Sequence, residues 1–156
     1  MENQPSERKL NMAQLLRIPF QALVTELHER LEKVGYGDIR PTHTLIFALV
    51  SAEGIRLTEL AERSQLTKQL VNYLVTAMEE RGYVERIPDP TDGRAKLVRL
   101  TQRGQEAVAA GAKIIESIEQ EWAGLIGEQT MTEIRANQER LVKSLVKAQL
   151  ERKTET

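Results

Sequence analysis

The 156-residue chain contains no cysteine, which excludes disulfides, thiolate zinc sites and redox sensing through a thiol. Aromatic residues amount to only 4% while charged residues reach 29%; with long Leu/Ala/Glu/Lys/Arg runs, this favours a mainly helical protein over a sheet sandwich. No apolar run approaches the roughly 18 residues that span a bilayer. Acidic and polar residues also interrupt "MENQPSERKLNMAQLL", where a signal peptide needs a continuous apolar stretch. A cytoplasmic protein without a membrane partner is therefore expected. Net charge is nearly absent, at −1, so a polyanion would have to be met by a local surface and not by bulk charge. The chain has no Gly-rich phosphate loop, nucleophile elbow or paired acid motif, and the expectation is that it is not an enzyme. Two histidines on different expected helices, with no cysteine, make a poor soft-metal site, so neither metal nor cofactor is expected.

The 40% of apolar residues suffice for the core of one domain with extensions. Leu16, Phe20, Leu23, Leu27, Leu31 and Val34 recur at intervals of three and four, which predicts a helix from near Arg17 to Val34. Pro19 fits best in its first turn, leaving 8–18 as a separate or kinked segment. "GYGD" at 35–38 breaks the helix, and the apolar "THTLIFALVSA" after Pro41 belongs in the core. "GIRLTELAERSQLTKQLVNYLVTAMEERG" reads as two short helices. Thr58 caps the first, which carries Leu60 and Ala61. Thr67 caps the second by accepting from the N–H of Leu70, and Gly82 ends it. This is helix-turn-helix spacing. "YVERIP" and "AKLVRL", separated by Pro, Asp and Gly, predict a hairpin. Thr101 then opens a long helix to about Ile126 with Val108, Ile115, Ile118, Trp122 and Leu125 inward. Thr130 and Glu133 form a T-x-x-E capping box for a last helix with Ile134, Leu141, Leu145 and Ala148 on one stripe.

On the helix spanning 67–81, Leu70, Val71, Leu74, Val75 and Met78 form an apolar stripe. Gln69, Asn72, Tyr73 and Thr76 face away from it, without an acidic neighbour. Gln and Asn can pair bidentately with adenine, Thr can touch a thymine methyl, and Lys68 can reach phosphate or guanine. Lys68, Gln69 and Asn72 occupy the N-terminal end, which meets bases in a helix-turn-helix. An ordinary solvated helix face accounts for the same residues. A second signal is independent of the first: "DPTDGRAKLVRLTQRG", residues 89–104, carries Arg94, Lys96, Arg99 and Arg103 and no acid after Asp92. Arg94 at a hairpin tip suits the negative potential of a narrow minor groove, and the other three suit phosphates. Asp92 is placed to hold Arg94 or a neighbouring basic side chain, or serves as a plain turn residue.

These residues carry a resemblance. The segment "RGYVERIPDPTDGRAKLVRLTQRG" resembles the winged-helix signature of the MarR family of bacterial transcription regulators, whose hallmark is an Asp-x-Arg in the wing followed by Leu-Thr-x-x-Gly. Asp92-Gly93-Arg94 and Leu100-Thr101-Gln102-Arg103-Gly104 match it. The resemblance implies a winged helix-turn-helix at 41–104, with the recognition helix 67–81 in the major groove and the wing 89–96 at the minor groove. It also implies a helical dimerisation domain built from 1–40 and 105–156. The implied assembly is a homodimer on a pseudo-palindromic double-stranded DNA operator, more often a repressor than an activator. One-sided apolar stripes at Leu10, Leu15, Leu16 and at Ile134, Leu141, Leu145 agree, because they lie outside a winged helix and need a partner.

The expected DNA contacts are Thr67, Lys68, Gln69, Asn72, Tyr73, Thr76, Arg94 and Lys96, with Asp92 positioning the wing. The recognition helix "TKQLVNYLVT" departs from relatives rich in Ser, Thr or Arg, so no operator can be borrowed. The family's habit of responding to small aromatic or anionic effectors points to His28, Arg40, His43, Phe47 and Trp122 as ligand-binding candidates, with Arg40 pairing an anion. Ordinary core packing accounts for each of them. The alternative to a DNA-binding regulator is a winged helix used only for protein association.

Overall fold

The computed structural model describes residues 9–154, and the chain divides into two compact units, one ending at Ile115 and the other starting at Glu116. The order of elements is α1 (Met12–Lys33), α2 (Pro41–Phe47), β1 (Ile55–Arg56), α3 (Leu57–Ser64), α4 (Lys68–Glu80), β2 (Val84–Asp89), β3 (Asp92–Leu100), α5 (Gln102–Ile126) and α6 (Glu128–Thr154). The fold is mainly helical with a small antiparallel sheet, a winged helix-turn-helix flanked by long helices.

Helix α1 is continuous, with Pro19 in its interior and not in its first turn. The Asn11 side chain accepts from the N–H of Gln14 (3.0 Å) while the Gln14 side chain accepts from the N–H of Asn11 (3.1 Å). This reciprocal cap starts the helix well before the proline. The ring then removes one i→i−4 bond on an exposed face. Helix α2 is shorter than its apolar sequence suggested and ends at Phe47. Ile46 and Val50 are nonetheless in the core, so the expected burial holds without the helical continuation.

Strand β1 was not expected. Its two residues pair with β3, Ile55 opposite Val98, giving the sheet order β1-β3-β2. Because pairing holds the chain extended up to Arg56, α3 begins at Leu57 and Thr58 lies inside it, not at its cap. The hairpin itself follows the sequence: Val84 faces Leu100 and Ile87 faces Leu97, with an irregularity at Pro88/Asp89. The core beneath it collects Ile46, Leu60, Val71, Val75, Met78, Val84 and Val98, all essentially solvent-free.

Three other expectations are corrected. Leu70 is 43% exposed; only the Val71, Leu74, Val75 and Met78 part of the α4 stripe meets the core. On α5, Ile118 is buried, but Val108 is exposed and Leu125 is 82% exposed, so a single inward stripe does not persist along the helix. Gly127, at φ +92°, ends α5 in the left-handed region, and its carbonyl accepts from the N–H of Met131 (3.0 Å). Helix α6 therefore starts at Glu128, Thr130 is already helical, and Glu133 accepts from the Gln129 amide (3.1 Å) in place of closing a capping box.

Candidate nucleic-acid interface

The turn between α3 and α4 places one non-glycine residue, Gln65, at φ +57°. The Thr67 hydroxyl then accepts from the N–H of Leu70 (3.2 Å), satisfying one of the orphan donors at the start of α4 as expected from the sequence. Since Val71, Leu74, Val75 and Met78 are buried, helical geometry turns Lys68, Gln69, Asn72 and Tyr73 to solvent and leaves Thr76 half-buried at the edge. Tyr73 is 69% exposed. From Lys68 to Thr76 this face carries no acidic side chain.

Sequence reasoning missed the side chain that organises its far edge. Arg86, on β2, reaches across to α4: one terminal nitrogen donates to Asn72 Oδ1 and to Thr76 Oγ1, both at 3.1 Å. The other terminal nitrogen donates to the Glu79 carboxylate. The remaining Glu79 oxygen accepts from the backbone N–H of Arg86 (3.2 Å). Asn72, Thr76 and Glu79 lie along one side of α4 at spacings of four and three, the helical condition for a single partner to touch all of them. Nothing in the separate segments announces this, because the partner comes from another element.

The four basic residues of segment 89–104 sort into two pairs. Arg99 lies opposite Glu85 in the ladder and donates to it at 2.7 Å. Arg103 donates to the Tyr83 hydroxyl (3.1 Å), stacks 4.8 Å from its ring centroid and lies 3.7 Å from the Asp38 carboxylate. Both are thus engaged within the chain, although each keeps part of its side chain exposed. Arg94 and Lys96 are exposed and have no ion pair among the described residues. Asp92 pairs with neither side chain: its Oδ1 accepts from the backbone N–H of Arg94 (3.1 Å), the bond of a plain turn residue.

The wing is held near its tip by a pair the sequence did not announce. The carboxylate of Asp89 is buried, accepts from Arg56 Nε (2.6 Å), and accepts from both the hydroxyl (2.7 Å) and the N–H (2.8 Å) of Thr91. The Thr91 bonds, followed by the Arg56 guanidinium, hold its pKa at about 2. Arg56 also donates to Thr91 Oγ1 (3.2 Å), tying β1 to the hairpin tip. Behind the wing, Tyr83 is fully buried, donates to Asp38 (2.5 Å) and meets Phe47 edge-on, with centroids 5.5 Å apart. Burial, then the Asp38 bond, raises its hydroxyl pKa.

Within the first unit lies a cavity of about 230 Å³ bounded by α1, α2 and the first part of α5, with Leu27, Leu31, Ile39, Phe47, Ala107 and Ile115 among its walls. Thr44 supplies its one side-chain hydroxyl. Phe47 is the only one of the five ligand candidates on this lining. His28 stands behind Thr44, its Nδ1–H donating to the Val24 carbonyl (2.7 Å) and its Nε2 accepting from the Thr44 hydroxyl (3.3 Å). His43 is buried, and its Nδ1 accepts from the Arg40 N–H (3.1 Å). Burial, then repulsion by Arg81 and Arg40, lowers its pKa, which favours the neutral ring. Arg40 is exposed, and Trp122 belongs to the second unit. Among the described residues no cluster of three acidic or histidine side chains could hold a metal ion, and no helix is long and apolar enough to cross a membrane.

Comparison with known proteins places this geometry. Residues 38–95 match the family model described as the MarR family. The transcriptional regulator HosA of Escherichia coli O111:H- is 34% identical over 91 residues, 58% of this chain and 67% of that protein. The crystal structure of MarR superposes with a TM-score of 0.79 at 22% identity, over 95% of this chain and 99% of that one. A variant of MepR from Staphylococcus aureus, bound to an oligodeoxyribonucleotide, superposes with a TM-score of 0.57 at 24% identity, over 88% and 99%. At these identities the two structures speak for the fold alone.

Proposed function

Since the chain belongs to the MarR family of DNA-binding transcriptional regulators, we propose that it is a cytoplasmic, homodimeric repressor that reads a pseudo-palindromic operator. Helix α4 enters the major groove with Lys68, Gln69, Asn72, Tyr73 and Thr76, capped by Thr67. The wing brings Arg94 and Lys96 to the minor groove and the flanking phosphates. The observation that carries this reading is the selective pairing of charge. Of the four basic residues in 89–104, Arg99 and Arg103 have ion-pair partners within the chain while Arg94 and Lys96 have none among the described residues, beside an acid-free polar helix face. A wing that served only to stabilise the fold would gain nothing from leaving those two cations unpaired.

Two further features support the assembly and its modulation. Leu15, Leu16, Ile18 and Phe20 on α1, and Ile134, Leu141, Val142, Leu145 and Val146 on α6, are exposed. Apolar surface repeated along a helix in this way is characteristic of an interface with another copy. Two-fold placement then sets the half-sites one helical turn of DNA apart, roughly 34–36 Å. The cavity of the first unit supports modulation by a small apolar or aromatic molecule. An anion is the poorer fit, because Arg40 is not among the lining residues.

The test is fluorescence anisotropy against duplexes from the chain's own upstream region and shuffled duplexes of equal composition, at two salt concentrations. Arg94→Ala is expected to weaken binding to every duplex and to reduce the salt slope by about one. Gln69→Ala is expected to lose about 1–3 kcal/mol at particular base pairs only. Unchanged operator affinity in both variants would sink the reading. Binding to an acidic protein without selectivity among duplexes would favour the protein-association alternative.

A further inference from the structure

We infer that Arg86 is a specificity-determining positioning residue: without touching DNA, it sets the polarity of the Asn72 amide so that Asn72 reads an acceptor edge, such as guanine, in place of adenine. The inference rests on the proposed docking of α4 in the major groove.

Asparagine is the usual partner of adenine because its amide offers both halves of the match, the oxygen accepting from N6 and the nitrogen donating to N7. An unrestrained Asn72 would present that pair in either orientation. Here it is restrained. A guanidinium has donors only, so the Asn72 atom 3.1 Å from it is the oxygen, and the amide cannot be turned over without setting N–H against N–H. The NH2 end is therefore the end left to the groove. The second lone pair of Oδ1 lies beside a cation, where an adenine amino group would bring one more positive donor edge. Guanine O6 and N7, which only accept, suit both the outward NH2 and the nearby positive charge.

The restraint is itself well anchored. Glu79 takes the other guanidinium nitrogen and the Arg86 backbone N–H, and Thr76 shares the nitrogen that holds Asn72. Rotation of Arg86 away from Asn72 would thus open several charge-assisted bonds at once. The Thr76 hydroxyl, accepting once from the same nitrogen, still has its proton and a second lone pair, so the restraint on polarity falls on Asn72 alone.

The experiment uses the full chain and a library of duplexes carrying a randomised central region, followed by titration of single-base variants of the enriched sequence. Wild type is expected to favour guanine at one position of each half-site, and Asn72→Ala to erase that preference, on the order of tenfold. Arg86→Met is expected to shift the same position towards adenine while the other positions keep their order. The double variant Glu79→Gln/Arg86→Met, which leaves no unpaired carboxylate, should behave alike and guards against misfolding, with thermal melts as the check. In the Asn72→Ala background, Arg86→Met should not alter the base profile. An equal loss of affinity for all sequences, with the profile unmoved, would reduce Arg86 to a structural tie and overturn the inference. So would a wild-type preference for adenine at the position that Asn72→Ala erases. No selectivity by wild type at all would instead overturn the DNA-reading proposal on which the inference rests.

Discussion

Gly104→Ala is the substitution for which the structure works out a magnitude most directly. Gly104 stands in the first turn of α5, and a Cβ built there would lie 2.0 Å from the Tyr83 carbonyl oxygen and 3.2 Å from Leu100 Cδ2. Backbone must move to admit it. The obstructing carbonyl is not free to do so, since it accepts from the N–H of Thr101 (3.1 Å), whose hydroxyl donates to the Gly82 carbonyl (2.5 Å) and accepts from the N–H of Gly104 (3.1 Å). Overpacking of this kind costs about 1–3 kcal/mol, and each strained hydrogen bond at the junction adds about 1 kcal/mol. The better helix propensity of Ala returns only about 1 kcal/mol.

The expected net loss is about 1–3 kcal/mol, a drop of several degrees in Tm. It should be measured by urea denaturation at fixed protein concentration, because the stability of a dimer depends on that concentration. The midpoint should fall with little change in slope. Gly93→Ala at the wing tip is the control: nothing lies within 4 Å of the added methyl, and no change beyond about 0.5 kcal/mol is expected. If Gly104→Ala proved as stable as wild type, the contact geometry at the wing-to-helix junction would be wrong.

The Asp89 carboxyl, held at about 2 against an ordinary 3.8, favours the ionised native state. Its contribution is full above about pH 4 and is lost as the pH falls towards 2. Urea midpoints measured across that window should fall in wild type and be flatter in Asp89→Asn, and parallel curves would refute the assignment. Leu141→Asp combined with Leu145→Asp should convert the proposed dimer to monomer in sedimentation and abolish selective duplex binding. A dimer that survives would remove this face of α6 from the interface.

Much of the reading region was legible in the chain itself. Thr67 three residues before the Leu70 amide, the spacing of Val71, Leu74, Val75 and Met78, and Gly82 at φ +75° are relations within a turn or two of helix, and all three appear as the sequence implied. The hairpin was legible for the same reason, from alternation and turn residues. The Leu-Thr-x-x-Gly run was recognisable as a motif. Its purpose became visible only when Thr101 was found bonded across to Gly82, and Gly104 pressed against the Tyr83 carbonyl.

The sequence alone determined where α4 begins and ends and which four residues, Val71, Leu74, Val75 and Met78, it turns inward, because capping and periodicity act over three or four positions, whereas Leu70, expected inward, is exposed. The tertiary structure decided which charges remain available. Four basic residues near the wing look equivalent in one dimension, yet Glu85 consumes Arg99, Tyr83 and Asp38 consume Arg103, and Arg94 and Lys96 are left over. It likewise brought Arg86 to Asn72 from 14 positions away. Electrostatic partnership is a matter of distance through space, and only folding the strands against the helix brings these groups within a hydrogen bond of one another.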